Sequence, residues 1–144
     1  MKKILGAISL SLVSAISGCD NNSRLHTTGG ESVNTEGKTI LINYWAEWCK
    51  PCREEVPVLN ELAQANDDVI VLGVNFDGLP SPAAIEQAKK LGIEFPLLTE
   101  EPEGRWGQPW PEVLPTTFII GRDGRWQKTL VGPQTAEDLS AALQ

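Results

Sequence analysis

From residue 36 onward the apolar positions fall in short blocks, and their spacing changes from block to block. "KTILINYWA" (Lys38–Ala46) is a short apolar run with β-branched and aromatic residues, which predicts a buried central strand. Gly37 before it suits a tight turn. Between Cys49 and Ala65 the pattern switches: Val56, Leu59, Leu62 and Ala63 recur at spacings of three and four, as on one face of a helix. Pro57 falls inside that helix and should kink it, because it lacks an N–H and crowds the preceding turn. "DDVIVLGVNFD" (Asp67–Asp77) predicts a second buried strand. "SPAAIEQAKKLGI" predicts a helix with Ser81 as N-cap, Pro82 at the first helical position and Gly92 as its stop. "TTFIIGRDGRWQKTLVG" predicts a hairpin turning near Arg122–Gly124, and "QTAEDLSAALQ" a last helix capped by Thr135. Strand, helix, strand, helix, hairpin, helix implies an α/β layered domain with a mixed central sheet flanked by helices.

The first nineteen residues do not fit that alternation. Lys2 and Lys3 precede a run of apolar and small residues from Ile4 to Gly18, the form of a secretory signal, too short and serine-rich for a spanning helix. Residues 1–18 are therefore expected to be a signal peptide. "ISGC" (Ile16–Cys19) resembles the bacterial lipobox, which makes Cys19 the expected lipidated N-terminus of a membrane-anchored lipoprotein on the periplasmic side of the cell envelope. Asp20 resembles the signal that retains enterobacterial lipoproteins at the inner membrane. "DNNSRLHTTGGESVN" reads as a polar, flexible tether, giving a division into 1–18, 19–35 and a domain over 36–144.

The chain has 144 residues, enough for one core, with 41% hydrophobic and 22% charged residues, a globular composition. Its net charge of -7 and lack of a basic tract argue against nucleic acid as a partner. The acidic residues are scattered and say little about the substrate.

With Cys19 set aside, the chain's cysteines are Cys49 and Cys52, in "YWAEWCKPCREEVP". A zinc site would want four ligands, and the one histidine, His26, lies in the tether, so no metal is expected. A purely structural disulfide closing so short a loop removes little unfolded-state entropy. That leaves a redox pair. Cys49 stands where the strand passes into the helix, so free N–H groups, the helix dipole and the nearby Lys50 cation favour its thiolate, the nucleophilic form. Cys52, one turn inward, would resolve a mixed disulfide formed at Cys49, and Pro51 stiffens the turn between them.

"YWAEWCKPC" resembles the active-site segment of thioredoxin, with Lys50 where glycine is usual. "LPTTFII" (Leu114–Ile120) resembles that family's cis-proline segment, which makes Pro115 the candidate cis residue and places Leu114, Pro115 and Thr116 beside bound substrate. "GKTILINYWAEWCKPCREEVPVL" is similar to the pattern of the membrane-anchored TlpA/ResA-like thiol-disulfide reductases, with Tyr44 where phenylalanine is more usual. That resemblance implies a thioredoxin-like fold with an inserted strand and helix between the second strand and Pro115. It also implies reduction of disulfide-containing envelope proteins, no cofactor beyond the Cys49–Cys52 disulfide, and electrons from a membrane relay of the DsbD/CcdA type. A monomer is the default expectation for the fold.

Where thioredoxin has a buried aspartate, this chain has Asn43, which cannot exchange a proton usefully. Glu55 matches the glutamate of the TlpA/ResA-like group, and its spacing of three puts it on the Cys52 side of the helix as a candidate general base, if buried. A solvated helix glutamate like Glu54 is the other reading. Trp45 is expected beneath the site and Trp48 shielding it, and Glu100–Val113 either rims a partner groove or packs as a surface loop. An oxidant or isomerase on the same fold, a cytochrome c maturation thioredoxin, and a non-catalytic or copper-carrying module stay open as alternatives. A peroxidase is disfavoured for want of a separate peroxidatic cysteine.

Overall fold

The computed structural model describes residues 24–100, 102 and 104–144. The expected signal peptide and Cys19 lie outside the described residues. The elements are β1 (Arg24–His26), β2 (Ser32–Asn34), β3 (Thr39–Trp45), α1 (Lys50–Ala65), β4 (Val69–Asn75), α2 (Ser81–Leu91), β5 (Thr116–Ile120), β6 (Trp126–Val131) and α3 (Ala136–Ala142). The main sheet has the order β4-β3-β5-β6, with β3 parallel to β4 and antiparallel to β5, so it is mixed. β3 is buried along almost its whole length, as its mostly apolar sequence requires of a strand covered on both faces. One cluster of Ile40, Ile42, Tyr44, Leu72, Val74, Phe118 and Ile120 lies on one face of the sheet. On the other face Leu41, Leu59, Val71, Ile119 and Leu139 join α1 and α3 to the strands. Alternate β3 residues thus feed opposite clusters, the consequence of the two-residue side-chain period.

Four expectations about boundaries hold. Cys49 is the N-cap of α1, Pro57 lies inside that helix on its exposed side, and Gly92 ends α2 in the left-handed conformation at φ 78°. Thr135 caps α3, its side chain accepting from the Asp138 N–H while the Asp138 carboxylate accepts from the Thr135 N–H.

Three differ. Ser81 is the first residue of α2 rather than its N-cap. Pro80 takes that place without a side-chain hydrogen bond, its carbonyl accepting from the Ala83 and Ala84 N–H groups. The inserted segment before Pro115 contributes α2, but its strand is reduced to single bridges: Leu97 to Gly73 and Leu98 to Thr27. The stretch read as a flexible tether is, from Arg24 on, part of the fold. β1 and β2 pair antiparallel, Leu25 is buried with the first cluster, and the Thr28 N–H donates to the Leu97 carbonyl. Two apolar side chains, Leu25 and Val33, eight positions apart in a polar run give no periodic signal. The hairpin is held by backbone hydrogen bonds and by what Leu25 meets in the fold.

Candidate active site

The C-terminal end of β3 delivers Trp45 and Ala46 into a buried cluster with Cys49, Cys52, Ala84, Ala88, Leu91 and Leu97. The chain turns there, with the Cys49 N–H donating to the Ala46 carbonyl, and α1 begins. Cys49 and Cys52 form a disulfide with Cα atoms 5.3 Å apart. Cys49 Sγ also accepts from the Cys52 N–H at 3.2 Å, so a sulfur does the work an oxygen does at most helix starts. The first turn of α1 carries no acidic side chain to oppose a thiolate. Both cysteines are buried, Cys49 at 3% and Cys52 at 1% exposure, whereas Lys50 and Pro51 face solvent. Cys52, the inner cysteine, is thus only slightly less exposed than Cys49 in the disulfide state.

The Leu114–Pro115 bond is cis, as the resemblance implied. Pro115 is buried, and its carbonyl accepts from the Gly132 N–H at 2.9 Å. Leu114 is half-buried and packs against both the cysteine cluster and the cluster on the other side of Tyr44. Thr116 pairs across the sheet with Tyr44, and its hydroxyl donates to the Val113 carbonyl at 2.7 Å. The structure thus brings the cis-proline segment to the same end of the sheet as the disulfide.

Glu55 is 2% exposed, inside the fold. One carboxylate oxygen accepts from Asn43 Nδ2 and the other from the Gln134 N–H, each at 3.1 Å. Burial pushes its pKa up from the ordinary 4.5 to about 7, against the lowering effect of those two donors. The carboxyl can therefore gain and lose a proton near neutrality, one helical turn from Cys52.

Trp45 is wholly buried under the cysteines, and its Nε1 has no hydrogen-bond partner among the described residues. Gly73 makes room for it: a Cβ there would lie 2.9 Å from Trp45 Nε1 and 2.7 Å from Leu97 Cδ2. Trp48 is 65% exposed yet fixed, its Nε1 donating to both Asp77 carboxylate oxygens and its ring meeting Phe76 edge-on at 6.3 Å. The 100–113 loop packs through its tryptophans: Trp110 lies edge-on to Tyr44 at 5.1 Å and 5.5 Å from Phe76, while Val113 stays 53% exposed. Thr117, Gln134, Gly73 and Asp77 were not singled out by the sequence. Each acts through partners at least 24 positions away among those named, and no local pattern marks such a pairing.

Residues 22–128 match the AhpC/TSA family. The chain is 34% identical over 110 residues to the thiol-disulfide oxidoreductase ResA of Geobacillus thermodenitrificans, covering 75% of this chain and 63% of that protein. It thus spans less than two thirds of that relative's length. It is 34% identical over 126 residues to the thiol:disulfide interchange protein HelX of Rhodobacter capsulatus, covering 83% of this chain and 70% of the other. Among solved structures it is similar to StoA from Bacillus subtilis, with a TM-score of 0.66 at 25% identity, covering 84% of this chain and 95% of that one. Sequence match, mixed sheet and a Cys-x-x-Cys disulfide at a helix start agree, and the chain belongs to the AhpC/TSA family as a TlpA/ResA-like member of the thioredoxin superfamily.

Proposed function

We propose that the protein is a thiol-disulfide oxidoreductase that reduces disulfides in proteins of the bacterial cell envelope. The observation that carries this reading is the Cys49–Cys52 disulfide at the N-terminus of α1, with a buried carboxyl one turn away. In the reduced enzyme the Cys49 thiolate attacks one sulfur of the substrate disulfide, and the substrate's other sulfur leaves as a thiolate. Cys52 loses its proton to the Glu55 carboxylate and attacks Cys49 Sγ. The second substrate thiol is released, and the Cys49–Cys52 bond forms. Two electrons pass from the enzyme dithiol to the substrate disulfide, and two protons end on the substrate thiols: one from Cys52, released again by Glu55, and one from solvent, which took up the Cys49 proton when its thiolate formed. The sulfurs carry the electrons, so this step calls for no cofactor.

Leu114 packs against the cysteine cluster and leads into the cis Pro115, and in this reading the substrate backbone lies along Leu114, Pro115 and Thr116, with Trp48 as an exposed apolar contact. The reductive direction rests on Cys-x-Pro-Cys with its proline at Pro51. Lys50 favours the thiolate and moves the potential somewhat the other way. The signal-like residues 1–18 and the lipobox-like Cys19 support a lipid anchor on the periplasmic side of the inner membrane. A membrane relay of the DsbD/CcdA type is the proposed electron donor. Incorporation of labelled palmitate that is lost in Cys19→Ala tests the anchor.

The reduction potential of the pair tests the direction. A value near about -270 mV supports a reductant, and one near about -120 mV makes the protein an oxidant. A Cys52→Ser variant should accumulate client proteins as mixed disulfides on Cys49; a variant that traps none removes the catalytic reading.

A further inference from the structure

Glu55 does not sit in the core alone. Asn43 of β3 and Thr117 of β5 are direct partners across the sheet, so their side chains stand together on one face. The Asn43 amide nitrogen has two hydrogens and two acceptors: Glu55 Oε2 at 3.1 Å and Thr117 Oγ1 at 3.0 Å. Both Asn43 and Thr117 are buried, at 1% and 0% exposure, so the group has no water to fall back on. The amide cannot turn over while Glu55 is ionised, because that would set Asn43 Oδ1 against a carboxylate oxygen. The carboxyl's other oxygen accepts the Gln134 N–H, a backbone donor that any substitution at 134 other than proline keeps.

We infer that Asn43, oriented by Thr117, is the positioning residue of Glu55: the pair fixes where the carboxylate lies and how firmly it holds the proton it takes from Cys52. This rests on the reading of Glu55 as the proton acceptor. A bare buried carboxylate would hold its proton too tightly to work near neutrality, since nothing in a dry site compensates its charge. An amide donor favours the ionised form without itself titrating. The groups meeting the carboxylate are Asn43 from β3 and the Gln134 N–H from the β6–α3 connection, and Thr117 from β5 stands behind Asn43. None of these titrates. Cys52, one turn before Glu55 on the buried face of α1, is the titratable side chain that shares that face once reduced.

Two readouts test this. The first is direct titration of Glu55 by carbon-13 NMR of glutamate-labelled protein in the disulfide form, where no turnover is involved. Asn43→Leu, close in shape, should raise the midpoint by about one pH unit or more. Thr117→Val, isosteric and therefore the safer variant for folding, should raise it by roughly half a unit. Thr117→Ser, which keeps the hydroxyl, should restore the wild-type midpoint. The second readout is the pH dependence of resolution by Cys52, followed with an aromatic disulfide whose released thiolate absorbs visible light. The same variants should move that profile in the same order.

If Glu55 titrates at the wild-type midpoint in both Asn43→Leu and Thr117→Val, the positioning inference is overturned, whatever the kinetics. If the NMR midpoints move and the resolution profile does not, the network is real but Glu55 is not the proton acceptor. Glu55→Gln separates these outcomes, since it removes the inflection only when Glu55 is the base.

Discussion

Glu54 and Glu55 are consecutive on α1 and chemically identical, yet Glu54 lies in solvent and Glu55 is almost fully covered. The same division runs through the first three turns of the helix. Lys50, Pro51, Arg53 and Glu54 face outward, while Cys52, Glu55, Val56 and Leu59 face the sheet. On the outer face a charge costs little and does little, because water screens it. On the inner face a single carboxyl acquires a pKa near 7 and a defined set of donors. A rotation of 100° along one helix therefore separates a solubilising group from one able to move a proton at neutral pH.

The sharpest break in that comparison is at the sulfurs. Cys49→Ser should abolish disulfide exchange altogether, measured as loss of turnover with a reducible protein substrate. Next, Glu55→Gln should slow the Cys52 resolution step at pH 7 by about 100-fold, the low end of what a positioned base contributes, as read by stopped-flow absorbance. The third effect is on stability. The folded state binds the Glu55 proton more tightly than the unfolded chain, so between the ordinary 4.5 and about 7 the native state holds the extra proton. Stability should thus be highest below pH 4.5 as far as this group is concerned and fall as pH rises towards 7, by about 3 kcal/mol in total. Urea unfolding of the oxidised protein at pH 5 and pH 8 checks this, and Glu55→Gln should remove that part of the slope. Smallest of all, Glu54→Gln should leave rate, pH profile and stability within about 0.5 kcal/mol of wild type. A large effect there would show that the two faces of α1 are not as distinct as their exposure implies.

The inner face of α1 was readable because its signals are local. Two cysteines three apart, a proline between them, and apolar residues at helical spacing place Cys49 at a helix start without any tertiary knowledge. Spacing also carried Glu55 to the correct face, but only packing against β3 and the Gln134 backbone shows that it is closed off from water. Thr117 was legible as a strand residue and no more. A threonine in a buried strand reads as an ordinary β-former until its partner 74 residues away is known. The missed hairpin of β1 and β2 has the opposite cause. Its residues look like a linker because they bury little of their own, and the fold holds them through Leu25 and through backbone hydrogen bonds at Thr28 and Thr99.

That hairpin has a consequence for reach. An unfolded leash from Cys19 to residue 36 would extend at most about 60 Å, whereas five residues from Cys19 to Arg24 extend at most about 17 Å. Under the proposed anchoring at Cys19, the domain would ride close to the bilayer surface. It would exchange only with disulfides presented near the membrane, and a client's distance from the lipid would select it before any contact at Trp48 or Pro115 did.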